Sequence, residues 1–443
     1  MGMSERTIFA PMTAAGRGAV TAVRLSGPAT AAAIIALGGS LPRPRTASLR
    51  RLRDGTGEVL DEALVLWFPA PHSYTGEDAA ELHLHGGRAV LEGVTEALLA
   101  LGLRFAEPGA FSRRAFLNGR MDLLQAEAIG DLVMAETAGQ RRQALRQMEG
   151  ALGRVYEDWS NRLAGVLAHQ EALIDFPDED LPAEVEQALI RTIDILSAEI
   201  ATHLADGRRG EKMREGLVFV IQGPPNAGKS TLLNALAGRE VAIVSPLPGT
   251  TRDALEVQLV LGDAPVTLID TAGLRETDDP VEAEGVRRAC ARAAQADLVL
   301  VLRSPDAPDE RANAPESQAG VHTEDEPPRL TIMTKADLGG QPDGAEIVVS
   351  ARTGLGMGEL VERLSAIARA ATARAGPPAL TRQRHRSLLA EAQENLTRAV
   401  ALDEPELRAE ELRLALSALG GITGAIGVEA LLDRIFGDFC IGK

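Results

Sequence analysis

"GPPNAGKS", Gly223 to Ser230, is the stretch on which the fold turns. It fits G-x-x-x-x-G-K-[ST] and stands between an apolar run, "LVFVIQ" (217–222), and a helical one, "TLLNALAG" (231–238). In that strand–loop–helix setting the backbone N–H groups cradle phosphates, the Lys229 ammonium reaches the β- and γ-oxygens, and the Ser230 hydroxyl binds Mg²⁺. Working outward, β-like runs "VTLID", "DLVLVL", "RLTIM" and "EIVVS" alternate with helical stretches as far as about residue 374, the pattern of a doubly wound sheet. Three motifs begin where such runs end: "DTAG" (Asp270, Thr271, Ala272, Gly273), "TKAD" (Thr334, Lys335, Ala336, Asp337) and "SAR" (Ser350, Ala351, Arg352). Nucleotide sites of open α/β sheets lie at those carboxyl ends. The Asp337 carboxylate can accept from the ring N–H and the amino group of guanine together, a donor pair that adenine lacks, so the expected ligand is GTP or GDP.

The series resembles the G1 to G5 motifs of translation-factor-like GTPases, with Thr334 where Asn is usual. Its hydroxyl can still support the loop. After "DTAG" a Ras-like GTPase carries a Gln that orients the attacking water, but Leu274 neither donates nor accepts. The catalytic element must therefore come from elsewhere. Glu282, Arg275 and Arg252 are the candidate charges, each with the alternative of a solvated switch-loop residue. Before them lies a Pro-constrained loop, Ser245, Pro246, Leu247, Pro248 and Gly249, that can fold over the nucleotide, followed by Thr250 and Thr251. Thr251 is the expected switch threonine of the Mg²⁺ shell, and Asn226 offers a carbonyl oxygen suited to a monovalent cation. With Ala227, Gly228 and Thr231 these residues make up the expected nucleotide shell.

The formal net charge of -17 argues against a protein that coats polyanions by bulk electrostatics. Residues 1–120 nevertheless carry 13 Arg against 11 acids, so the excess of acid lies wholly beyond them. Of the 46 basic residues only Lys212, Lys229, Lys335 and Lys443 are lysines, which draws the eye to places needing a compact ammonium; Lys212 reads as a surface charge. No apolar run approaches ~18 residues and the N-terminus lacks a signal layout, so no membrane span and a cytoplasmic location are expected. Cys290 and Cys440 are too few for a disulfide framework. Cys440 stands four places from the end, but Gly442 and Lys443 do not suit a prenylation signal. It is either a catalytic or redox thiol or a small packed residue. His83 and His85 share a strand face, as a metal pair or as structural residues.

The length, 443 residues, calls for several domains. Short apolar runs such as "GAVTAVRLSG" alternate with turns and helical patches up to about Arg120, a small α/β domain. Helical spacing dominates from Asp122 to about Gly207 and again from about Thr381, which fits an α/β module inserted into a helical domain, the alternative being four domains in a row. Residues 304–328, rich in Pro and acids, read as a mobile surface segment.

"PNAGKSTLLNALAGRE", "PGTTRD", "IDTAGLRET", "TGEDAAELHLHGG", "AFSRRAFLNGRMDLLQAEAI", "IDFPDED" and the closing "FCIGK" together resemble the tRNA-modification GTPase family (MnmE/TrmE), from Thr7 to Lys443. The resemblance implies a multidomain α/β plus all-α protein: an N-terminal α/β folate-binding and dimerisation domain (1–120), a helical domain (121–212 and 376–443) and an inserted Ras-like G domain (213–375). It implies modification of wobble uridine at C5 in tRNA with an FAD-dependent partner, in a heterotetramer-type complex of homodimers. The one-carbon unit would come from 5-formyl- or methylene-tetrahydrofolate. GTP hydrolysis would follow K⁺-dependent pairing of G domains, with Asn226, Ser245, Leu247 and Thr250 on K⁺, Ser230 and Thr251 on Mg²⁺, and Glu282 orienting water indirectly. The folate pocket would use Arg24, Glu81, Arg120 and Lys443; Arg120 stands for the family's usual Lys, and Ala110 for a usual Glu. One alternative class is a ribosome-assembly or signalling GTPase that acts only as a binding switch; another is a folate- or tRNA-binding scaffold with a degenerate GTPase, against which the intact nucleotide motifs argue.

Overall fold

The computed structural model describes residues 6–14, 16, 18–175, 183–239, 241, 256–270, 294–306, 327–339, 344–373, 378–425, 432, 435–437, 439 and 442. The chain forms two compact units, the first from residues 1–133, 147–196 and 391–443, the second from 134–146 and 197–390.

In the first unit six strands make one sheet: Ile8–Pro11 (β1), Val20–Ser26 (β2), Ser48–Arg53 (β3), Val59–Phe68 (β4), Ala79–His85 (β5) and Arg104–Phe105 (β6), in the order β3-β4-β5-β2-β1-β6. Neighbours are antiparallel except β1 and β6. The two-residue period of β2 and β5 sorts their side chains. Val23, Leu25, Leu82 and Leu84 enter a core with Ile34 and Leu37 of helix Thr30–Gly38 and with Val94 and Leu98 of helix Arg88–Ala100. Arg24, Glu81 and His83 therefore take the other face. There Ile8 and Ala10 bury against Ala106 and Phe111, with Tyr74 beside them.

Helices Ala151–Asp175 and Pro405–Thr423 lie along each other, burying Leu163 and Val166 on one and Leu412, Ala415 and Leu419 on the other. Gln170 Nε2 donates to the Pro405 carbonyl at 3.2 Å, and Arg413 pairs with Glu171 at 3.1 Å. Near the end of the chain Leu432 and Phe436 join Leu123 and Ala126, and the Phe436 and Phe439 rings stack at 5.4 Å. Gly442 is buried with φ +94°, and a Cβ there would fall 2.3 Å from the Pro11 carbonyl oxygen. Only glycine fits so close to a backbone in that conformation, so Gly442 is seated at the end of β1.

The second sheet comprises Leu217–Gln222 (β7), Glu256–Leu261 (β8), Ala264–Asp270 (β9), Leu298–Arg303 (β10), Arg329–Met333 (β11) and Ile347–Val348 (β12), in the order β12-β11-β10-β7-β9-β8. All pairs are parallel except β8 with β9. Burial on both faces explains the continuous apolar runs: Phe219, Ile221, Leu300 and Leu302 share a core with Leu232 and Leu236 of helix Lys229–Ala237 and with Leu360 and Leu364 of helix Met357–Ala371. β8 is not among the runs named from sequence. It is an edge strand in which buried Leu259 and Leu261 alternate with the less buried Gln258 and Val260, and the Gly262-Asp263 turn, φ +58° and +69°, sends it back antiparallel. From β7 the order runs to β9 on one side and β10 on the other, which opens a crevice at its carboxyl end.

The segments leading into and out of this sheet are tied together. Arg386 bonds Asp206 at 2.7 Å, Glu211 at 2.9 Å and the Leu204 carbonyl at 2.6 Å, while the Leu380 N–H reaches Asp206 at 3.2 Å. Both carboxylates are almost fully buried, and this guanidinium offsets the desolvation of both, helped at Glu211 by Arg208.

Candidate functional site

Beyond β7 the chain turns at Gly223, where a Cβ would sit 2.6 Å from the Leu302 carbonyl oxygen. Asn226 (φ +66°) and Gly228 (φ +84°) then adopt left-handed conformations just before the helix that starts at Lys229. Asn tolerates that region better than most residues, and left-handed residues within a turn aim successive N–H groups into one concavity. Lys229 is buried, and its Nζ donates to the Gly223 and Pro224 carbonyls, both at 2.8 Å. The ammonium thus lies across the loop. Thr231 follows in the first turn of the helix. The Ser230 hydroxyl donates to Asp270 Oδ2 at 2.9 Å, from the end of β9. A hydroxyl and a carboxylate beside a phosphate cradle are the oxygen ligands that Mg²⁺ prefers, so these residues fit that ion.

Three strand ends complete the crevice. Thr334, which follows β11, is buried, with Oγ1 2.6 Å from the Ala227 carbonyl oxygen and 2.9 Å from that of Arg303. Lys335 adopts φ +53° and pairs with Asp306 at 2.7 Å. Ala336 N–H donates to Val349 O at 3.1 Å, which fixes the loop against the chain that follows β12. The fully buried Ser350 donates from Oγ to Asp337 Oδ1 at 2.6 Å. That hydrogen bond, assisted by the charges of Arg352 and Lys335, holds the Asp337 carboxyl below the usual carboxylate range. Asp337 is a charged acceptor at neutral pH. Asn226, Ala227, Gly228, Lys229, Ser230, Asp270, Thr334, Asp337 and Ser350 thus converge on one crevice, with Ala351 next to Ser350. Arg252, Arg275, Glu282, Thr271 to Gly273, Ser245 to Thr251, Cys440 and Lys443 lie outside the described residues. So do residues 307–326 of the acidic segment. Sequence reasoning missed Asp306, which its place just past β10 brings to Lys335.

A second cluster occupies the open face of the first sheet. Arg24 and Glu81 stand opposite each other in the β2–β5 register, and Arg24 Nη2 donates to Glu81 Oε1 at 3.1 Å. The guanidinium lies 4.7 Å from the centre of the Tyr74 ring and 5.8 Å from that of Phe111. The Tyr74 and Ser112 hydroxyls are 2.7 Å apart, and burial pushes the Tyr74 phenol up. Behind them Glu77 accepts from Arg114 at 2.8 Å and from the Ser26 hydroxyl at 2.7 Å. The Arg120 stem lies against Gly76, where a Cβ would be 3.1 Å from its Cγ. A cation over one aromatic ring and near a second, beside a carboxylate, can take a flat heterocycle with donors along one edge. Tyr74, Phe111, Glu77 and Arg114 were not legible as members of this cluster; the one cue was that Tyr74 is among only 2 tyrosines. His83 Nε2 is 3.5 Å from Glu81, and His85 pairs with Asp61 at 2.7 Å. Among the described residues no group of three or more His, Cys, Asp or Glu is arranged to hold a metal, and no helix is long and apolar enough to cross a membrane.

Comparison with known proteins gives two family matches: "MnmE helical domain" over residues 123–440 and "GTP-binding protein TrmE N-terminus" over residues 7–120. A tRNA modification GTPase MnmE from Gluconacetobacter diazotrophicus is 54% identical over 450 residues, covering 100% of both chains. Its namesake from Granulibacter bethesdensis is 54% identical over 443 residues, again covering 100% of both. The one from Rhodospirillum rubrum is 53% identical over 462 residues, at the same coverage.

Proposed function

The chain belongs to the tRNA-modification GTPase family MnmE/TrmE, and from that premise we propose how its two clusters serve one activity. It is a GTPase with a role in tRNA modification. The proposed substrate is the wobble uridine of tRNA, modified at C5 together with an FAD-dependent partner by a homodimer of this chain. In this reading residues 1–120 bind folate and pair two copies, residues 121–212 and 376–443 form the helical domain, and residues 213–375 form the inserted G domain.

The observation that carries the nucleotide half is the convergence of Lys229, Ser230, Asp270, Thr334 and Asp337 on one crevice. Lys229 and the loop N–H groups bind and orient the phosphates, and Ser230, with Asp270 and Thr251, would hold Mg²⁺. Asp337, charged at neutral pH, accepts from the donor edge of guanine. Leu274 cannot align water; as the family resemblance implies, Glu282 would do so indirectly, with Arg252 and Arg275 ordering the switch segments. Asn226 with Ser245, Leu247 and Thr250 would hold K⁺, which when bound neutralises charge developing at the β–γ bridge. In the folate half, Glu81 takes donors from a pterin edge, Arg24 and Tyr74 stack beside it, and Arg120 and Lys443 meet the cofactor's carboxylates. Support for this half comes from the Arg24–Glu81–Tyr74 geometry and from Gly442, which brings the chain's end to β1. Cys440 is read as a candidate thiol for the one-carbon chemistry.

Reconstitution of the full chain with the flavoprotein, tRNA, tetrahydrofolate derivative and GTP tests the proposal. Nucleoside mass spectrometry is expected to show a C5-modified wobble uridine only when GTP and the folate are both present. An unmodified uridine alongside normal GTP turnover would instead make this a binding switch.

A further inference from the structure

The loop that meets the base and the loop that holds the phosphates share one hydroxyl. Thr334 Oγ1 lies 2.6 Å from the Ala227 carbonyl oxygen and 2.9 Å from that of Arg303, in a side chain only 4% exposed. A hydroxyl has a single proton to give. The Ala227 contact is the shorter of the two, and Arg303 O already has a donor in the backbone N–H of Thr334 itself, at 2.8 Å, so we assign the hydroxyl proton to Ala227 O. Ala227 is fully buried and immediately precedes Gly228, Lys229 and Ser230. A carbonyl in such a place needs a donor.

Guanine offers two edges. N7 and O6 are acceptors, whereas the ring N–H and the amino group are donors. Asp337 is acceptor-only when charged, so it serves the donor edge, and Ser350 fixes one of its oxygens at 2.6 Å. An amide at position 334 would bring two protons, one for the loop and one for N7. Thr334 has no second proton. We infer that Thr334 is a positioning residue that spends its one proton on the phosphate loop, so that this protein ties base loop to phosphate loop and leaves N7 of guanine unread by that side chain. The inference rests on the reading of Asp337 as the guanine acceptor.

Steady-state hydrolysis of GTP and of 7-deaza-GTP by the full chain provides the test. The wild type is expected to show KM values for the two within about twofold of each other, since no side-chain hydrogen bond to N7 is lost. Thr334→Val, which strands the Ala227 carbonyl, is expected to raise both KM values about tenfold with little change in kcat. Thr334→Ser restores them. Thr334→Asn is expected to lower KM for GTP about fivefold while leaving that for 7-deaza-GTP in place. A wild type that loses tenfold on 7-deaza-GTP overturns the inference, as does a Thr334→Val enzyme with unchanged KM. If Thr334→Val does not fold, the wild-type comparison and Thr334→Asn still decide. The underlying Asp337 reading fails separately, if Asp337→Asn leaves the preference for GTP over xanthosine triphosphate unmoved.

Discussion

At the carboxyl ends of β7, β9, β11 and β12 much of the nucleotide crevice is backbone, shaped by glycines and by left-handed Asn226, whereas the cluster on the open face of the first sheet is made of side chains from β2, β5 and the segments around Tyr74 and Phe111. A backbone cradle needs a short contiguous stretch that can adopt the turn. A side-chain cluster needs strand register, because Arg24 and Glu81 meet only while β2 and β5 pair as they do. Each construction therefore breaks differently. The phosphate cradle fails through its few charged or oxygen-bearing residues, and the Arg24 cluster fails through any one member of a mutually supporting set.

The largest expected effect is at Lys229. Lys229→Ala removes the ammonium that spans the loop and is expected to cut kcat for GTP roughly 10²–10³-fold, the scale on which one preorganised charge donor acts. Phosphate release measures it; a loss under tenfold would mean that the loop amides suffice. Next is Glu81→Gln, which takes the charge from Arg24's partner and an acceptor from the proposed folate pocket. Affinity for a tetrahydrofolate derivative should fall about tenfold by calorimetry, and unchanged affinity would remove Glu81 from the pocket.

Gly442→Ala sharpens the comparison at the tail. A Cβ at φ +94° that lands 2.3 Å from Pro11 O cannot be accommodated in place, and about 1–2 kcal/mol of strain should release the end of the chain. Carboxypeptidase trimming should then speed up several-fold; an unaltered rate would show that the end is not seated on β1. The smallest effect is a pH shift. Ser350 holds the Asp337 carboxyl below its ordinary range, so the charged acceptor persists as pH falls and is lost only on protonation. In Ser350→Ala the pKa rises, and the acid limb of kcat/KM for GTP should move to higher pH. An acid limb that stays put would detach Asp337 from base recognition.

What could be read beforehand follows the same division. "GPPNAGKS" announces a cradle because the groups that make it are consecutive and flanked by a strand and a helix. The usefulness of a hydroxyl at Thr334 was also legible, but its acceptor was not, since Ala227 lies 107 residues away. Arg24 and Glu81 are 57 residues apart, and no spacing rule joins them; only family resemblance brought them together in advance. β8 escaped notice because an edge strand shows alternation in place of a continuous apolar run. The need for glycine at 442 likewise comes from a backbone elsewhere in the chain.

The central proposal is that a GTP site lacking a water-aligning residue at Leu274 is completed by a second copy around a bound alkali cation. It is tested most directly by the GTP turnover of the full chain in K⁺ and in Na⁺ at matched ionic strength, across a range of protein concentrations. The account predicts fast turnover in K⁺ that climbs per molecule as concentration rises, and slow, concentration-independent turnover in Na⁺. Equal rates in the two salts at every concentration would contradict it.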